Sequence, residues 1–211
     1  AEPEEETRAH AAAITRRRTH RGLFATDVDD VALVRNLITA ADAEGAALVP
    51  LTAEPLIRSL AGLVSAAEHL HRHERTRADE LARWVRPPGS PSPEGVHAED
   101  FPPEPDHGLF PGRDYGQNRI RGMLDAPEAV TGTVALLTTP GDTRDAWLAA
   151  GQALERVLLA AAAEDVAAAF HTQPLEEPLL RAFIAERFCE DAHPQMILRL
   201  GRPRPHGARA A

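Results

Sequence analysis

The sequence predicts an α+β fold, and three observations carry that prediction. Apolar runs of strand length stand at 46–51, 130–137, 166–170 and 195–200. Stretches with apolar residues at helical spacing lie between them, and the longest, 143–163, is rich in alanine. Helical stretches and strand-length runs alternate along the chain, which excludes an all-α or all-β fold. With 211 residues, 43% of them hydrophobic, the chain suits one domain over 1–211 with a substantial core.

Each element has a local reason. Residues 7–18 read as a polar helix whose end carries Arg16, Arg17 and Arg18. Thr26 or Asp27 is the expected cap of a second helix, with Val31, Val34, Ile38 and Ala41 at helical spacing and Gly45 as its stop. The run 46–51 follows as a buried strand. A third helix after Thr52 places Leu56, Leu60, Leu63, Ala67 and Leu70 on one face, and a shorter one at 78–85 carries Trp84. Eight prolines fall within 87–111, too many for an ordinary connection, so 87–119 is expected to be an arm or lid. The strand at 130–137 turns through Pro140, Gly141 and Asp142 into the long helix, whose predicted stripe is Trp147, Leu154, Val157, Leu158 and Ala161. A short strand, a helix at 176–188 opened near Pro178 and a strand at 195–200 complete the order, before an Arg/Pro-rich tail.

Composition narrows the function. The net charge of -9 argues against nucleic-acid binding, which is built on a wide excess of basic residues. No apolar run approaches the roughly 18 residues of a membrane span, and the acidic start lacks the features of a signal peptide, so a cytoplasmic location is expected. The single cysteine, Cys189, fits a reducing compartment; its neighbours Glu190 and Asp191 disfavour a thiolate nucleophile. There is no lysine, and neither a GxGxxG nor a GxxxxGK[ST] loop occurs, which disfavours nucleoside triphosphate hydrolysis. His69, His71 and His73 are read as a polar face and not as a metal site, and Glu176 and Glu177 as solvated charges. No general acid or base stands out, so no catalytic residue is assigned.

What remains is a cluster of four arginines in six positions, Arg16 to Arg21, in an acidic chain. Guanidinium forks match phosphate oxygens, and Thr19 adds a hydroxyl. A second basic region, Arg199, Arg202, Arg204 and Arg209, offers another half of a phosphate clamp. The competing reading is that these arginines pair with some of the 32 acidic side chains.

Three blocks carry a resemblance: Trp147-Leu-Ala-Ala-Gly-Gln-Ala-Leu-Glu-Arg-Val-Leu-Leu-Ala-Ala, Gln173-Pro-Leu-Glu-Glu-Pro-Leu-Leu-Arg181 and Pro194-Gln-Met-Ile-Leu-Arg-Leu-Gly201. Together with Arg17-Arg-Thr-His-Arg21-Gly-Leu-Phe24, they resemble the nitroreductase-like FMN proteins of the Acg type, in order and over nearly the whole chain. The resemblance implies a central, mainly antiparallel sheet flanked by helices. It implies FMN as cofactor, contacted by Arg17, Arg18, Thr19, Arg21, Gln173 and Arg209, with the 87–119 arm as a lid. It further implies NAD(P)H as donor, a nitroaromatic or quinone acceptor, no metal, and a homodimer or pairing with an N-terminal half that Acg-type relatives carry beyond this stretch. Alternatives are a domain that holds flavin without turnover, or a flavin-free interaction domain.

Overall fold

The computed structural model describes residues 4–100, 110, 115 and 130–204. Among these the order is α1 (Glu5–Ile14), β1 (Phe24–Thr26), α2 (Val31–Asp42), β2 (Ala47–Pro50), α3 (Glu54–His73), α4 (Arg75–Trp84), β3 (Val85–Arg86), β4 (Val96–His97), β5 (Thr133–Thr139), α5 (Arg144–Ala163), β6 (Ala167–Phe170), α6 (Pro178–Phe188) and β7 (His193–Pro203). One-turn 3-10 helices lie at Ala98–Asp100 and Gln173–Leu175.

Strand β7 organises the sheet. It runs antiparallel to β5 and to β6, and Leu198, Arg199 and Leu200 pair with both, so β7 is an interior strand there. β2 extends the sheet beyond β5, and β1 joins the end of β7 through Phe24–Pro203 and Thr26–Arg202. All these pairings are antiparallel, as the resemblance implies; β3 and β4 form a separate parallel pair. β7 is eleven residues long against the six expected, because its polar ends are also paired.

The sheet is buried on both faces, which is why its strands read as apolar runs and not as alternations. On β5, Ala135 and Leu137 join a core with Leu33 and Leu37 of α2 and Ala153, Val157 and Ala161 of α5. Val134 and Leu136 point the other way, to Leu60, Ala61 and Val64 of α3 and Ile184 of α6. Each such side chain withdrawn fully from water contributes on the order of 2 kcal/mol.

Local chemistry sets the helix ends, not always where expected. α2 is capped by Asp30, whose carboxylate accepts from the Ala32 and Leu33 amides, while Thr26 lies in β1 and Asp27 accepts from Gly132 N at 2.8 Å. Gly45, at φ 78°, ends that helix as predicted. α5 is capped by Thr143 and closed by bonds from Asp165 N to Ala162 O and Val166 N to Ala161 O. Asp165 holds the left-handed conformation (φ 57°) that glycine usually takes in such a closure. Trp147 does not join the predicted stripe: it is 52% exposed, because its indole N–H reaches back to Asp142 Oδ1 at 2.6 Å. Val31, Leu56 and Leu70 are exposed as well, the stripes passing instead through Leu33 and Leu37 and through Ala61 and Val64.

Candidate functional site

Helix α1 stops at Ile14, four residues short of the expected end, so the arginine cluster lies off the helix. The amides of Arg16 and Arg17 both donate to Ala13 O, closing the last turn. The chain then runs extended: Thr19 forms a parallel bridge with Ala168, and His20 N donates to Ala168 O at 2.8 Å. Ala168 pairs with Leu200 on its other side, so this segment extends the sheet beyond β6. β6 begins with three alanines, whose small side chains leave room on either side of the added segment.

Two cavities flank it. The larger, about 350 Å³, is lined by Arg16, Arg17, Arg18 and Thr19 against apolar Leu158 and Val166. The smaller, about 210 Å³, has Thr19, Arg21, Tyr115, His171 and Arg199 in its wall. Thr19 and His20 belong to both, so the segment partitions the two spaces. A volume near 350 Å³ falls at the low end of those of small-molecule sites.

The arginines are only partly spent within the protein. Arg16 approaches Asp165 and Arg17 approaches Glu155, both at 3.8 Å, with exposed carboxylates. Pairs of that length and exposure contribute about 0–1 kcal/mol. Arg18 bonds the carbonyls of Thr15 and Arg17. Arg21 bonds the Thr19 carbonyl at 3.5 Å, lies over the Tyr115 ring, and has a buried Nε without a hydrogen-bond acceptor among the described residues. Neither Arg18 nor Arg21 pairs with a carboxylate among those residues.

Arg199, counted in the second basic region and lying within the strand expected at 195–200, is an interior residue of β7, 3% exposed. Its Nε donates to His171 Nε2 at 2.9 Å, a terminal nitrogen donates to Thr131 O at 3.0 Å, and its guanidinium lies against the rings of Phe24 and Phe110. Arginine stays protonated, so His171 Nε2 is the acceptor and the imidazole is neutral. The signal for this site was legible: a charge inside the apolar run Ile197-Leu198-Arg199-Leu200 marks a buried polar role.

The other expected residues lie elsewhere. Gln173 is buried, its amide donating to Glu68 of α3 at 2.9 Å, and it lines neither cavity. Arg202 donates to Glu164 O, the Arg204 amide to Leu23 O, and Arg209 lies outside the described residues, as does most of the 87–119 arm. Glu176 and Glu177 are not simply solvated: both pair with Arg77. Cys189 is 7% exposed, and burial pushes its thiol up to about 11. That disfavours a thiolate at neutral pH.

Among the described residues, no helix is long and apolar enough to cross a membrane, and no three His, Cys, Asp or Glu side chains form a metal-binding group. No protein-family model matches the chain. Two Mycobacterium tuberculosis proteins, each named "Putative NAD(P)H nitroreductase", are 35% identical to it over 204 residues, 94% of this chain and 57% of theirs. The chain thus spans little more than half the length of the curated relatives it matches. Among solved structures, a nitroreductase with bound FMN from Bacteroides fragilis superposes with a TM-score of 0.54 at 13% identity, covering 99% of this chain and 93% of that one. A BluB-like flavoprotein from Clostridium difficile gives 0.56 at 12% identity, with 95% and 93% covered. The NADPH:FMN oxidoreductase of Vibrio harveyi gives 0.52 at 12% identity, with 93% and 70% covered.

Proposed function

Because this chain belongs to the nitroreductase-like family by sequence and has that fold, we propose that it binds FMN beside the Arg16–Arg21 segment and serves an NAD(P)H-dependent reduction. The observation that carries this reading is the extended arginine segment at the edge of β6, with a cavity on each side and with the guanidinium groups of Arg18 and Arg21 paired with no carboxylate among the described residues. The residues fit the cofactor. Arg17, Arg18 and Thr19 would hold the phosphate, whose bidentate, charge-assisted bonds outweigh the 3.8 Å contacts they displace. Leu158 and Val166 supply apolar wall, and Arg21, with its open Nε, would meet an oxygen on the other side of the segment.

FMN, when bound, would supply the redox chemistry, a hydride acceptor toward NAD(P)H and an electron donor toward a nitroaromatic or quinone. The protein's part is to anchor, orient and exclude water, which needs no dedicated acid or base. Tyr115 of the 87–119 arm lines the smaller cavity over Arg21, and the fully buried Phe110 packs edge-on against His171 in its wall, which favours the arm as a cover. A covered cofactor also suits a protein that holds flavin without turnover, and bleaching by NAD(P)H separates the two. Relatives nearly twice as long suggest that the rest of the pocket comes from a second copy or from a segment like their remainder.

The test is flavin retention. The purified protein is mixed with excess FMN and freed of unbound flavin, and its visible spectrum is recorded. Replacing Arg17 and Arg21 together by Ala should weaken FMN binding about 100-fold or more, two charged hydrogen bonds at roughly 1.5–3 kcal/mol each. Unchanged retention in a folded double variant would remove the assignment.

A further inference from the structure

Another cavity, of about 610 Å³, lies where β2 begins and β5 ends, and it shares no lining residue with the two beside Thr19. That volume is ample for a small molecule. Asp42, at the end of α2, and Glu190 and Asp191, between α6 and β7, are exposed around it, and no basic residue lines it among those described. None of these three carboxylates forms an ion pair or a side-chain hydrogen bond with a described residue, although nearby Glu44 is taken by Arg156. Charges of one sign around a concavity focus their potential into it.

The buried wall of the cavity adds an independent observation. Thr138 is 2% exposed and lines it, following Val134 and Leu136 on one face of β5. The next residue, Thr139, is satisfied twice: its hydroxyl donates to Gly141 O and accepts from Gln195 Nε2, both at 2.8 Å. No such bond engages the Thr138 hydroxyl among the described residues. A buried hydroxyl without a partner calls for one, and the cavity is the space it borders. Cys189 lies in the same wall as a neutral thiol, and Ala47, Pro140 and Ala192 are apolar lining.

A ligand that fits these walls is positively charged, donates hydrogen bonds and carries apolar length. A metal ion fits poorly, because among the described residues no three His, Cys, Asp or Glu side chains form a metal-binding group; the negative charge surrounds the space and does not converge on a point. An alkylammonium has three donors, which carboxylates and a hydroxyl can share. We propose that this cavity binds an aliphatic polyamine, with one ammonium on the Thr138 hydroxyl, methylenes along Ala47, Pro140 and Ala192, and the other ammonium groups among Asp42, Glu190 and Asp191.

The test needs no flavin, so it fails or succeeds independently of the cofactor reading. Spermidine is titrated into isotope-labelled protein while amide NMR shifts are followed. Magnesium chloride at matched ionic strength controls for plain screening of the net charge of -9. The amides of Thr138, Cys189 and Ala192 should move saturably to a one-to-one end point with spermidine and stay in place with magnesium. Affinity should fall about tenfold or more when Asp42→Asn, Glu190→Gln and Asp191→Asn are combined, and about fivefold in Thr138→Val. Unchanged α5 shifts verify that both variants are folded. Shifts that magnesium reproduces, shifts that never saturate, or undiminished affinity in either variant would overturn the assignment.

Discussion

At the residue scale, Asp142 shows how one carboxylate can tie three elements. Its Oδ1 accepts from the Trp147 indole of α5 at 2.6 Å, from Arg181 of α6 at 3.0 Å and from Gln195 of β7 at 3.3 Å. The Trp147 bond, against the cost of burial and with help from Gln195 and Arg181, holds the Asp142 carboxyl below its ordinary value. A carboxyl depressed on folding contributes stability that is fully present above its unfolded pKa and is lost as the pH falls through its folded value. Trp147→Phe should move the Asp142 titration up toward the ordinary carboxylate range and shift acid unfolding to higher pH. An NMR titration of the carboxyl carbon reads the first, and circular dichroism the second. The same bond explains why Trp147 leaves the expected stripe: an aromatic at helical spacing signals a core position, but a polar partner one turn earlier outside the helix turns it to the surface.

At the scale of elements, β1 is held to β7 by close backbone approach. A Cβ placed on Gly201 would meet Thr26 O and the Phe24 ring, both at 2.7 Å. Gly201→Ala should therefore cost about 1–3 kcal/mol in urea unfolding, the usual range for overpacking. Because Phe24 also packs against Arg199, it should disturb the smaller cavity as well. The helices were legible from caps and periodicity, and Gly45 and Pro178 stand where their chemistry placed them. Their limits were less so. The helix expected over 7–18 stops at Ile14, because the chain leaves it to satisfy β6, whose open edge offers backbone hydrogen bonds that no propensity scale registers.

At the scale of the whole molecule, the sheet divides the interior in two, and adjacent residues of one strand serve opposite cores. Leu136 and Leu137 are both essentially buried, one against α3 and α6, the other against α2 and α5. Leu136→Ala and Leu137→Ala should each cost about 3 kcal/mol, whereas a strand with one wet face would show the loss at only one of them. Chemical denaturation of the two variants makes that comparison.

The sequence by itself determined the α+β class, the element order and the importance of the arginine segment, because apolar period, caps and charge bias are local properties of the chain. It also carried the family, through blocks spread over nearly its full length. Only the tertiary structure decided which arginines face a cavity and which are spent on neighbours. Arg199 turned its guanidinium to His171, Gln173 turned to Glu68, and Glu176 and Glu177 closed on Arg77. The physical reason is distance along the chain. Whether a charged side chain meets a carboxylate, a ring or open space depends on residues a hundred positions away, brought alongside by the sheet.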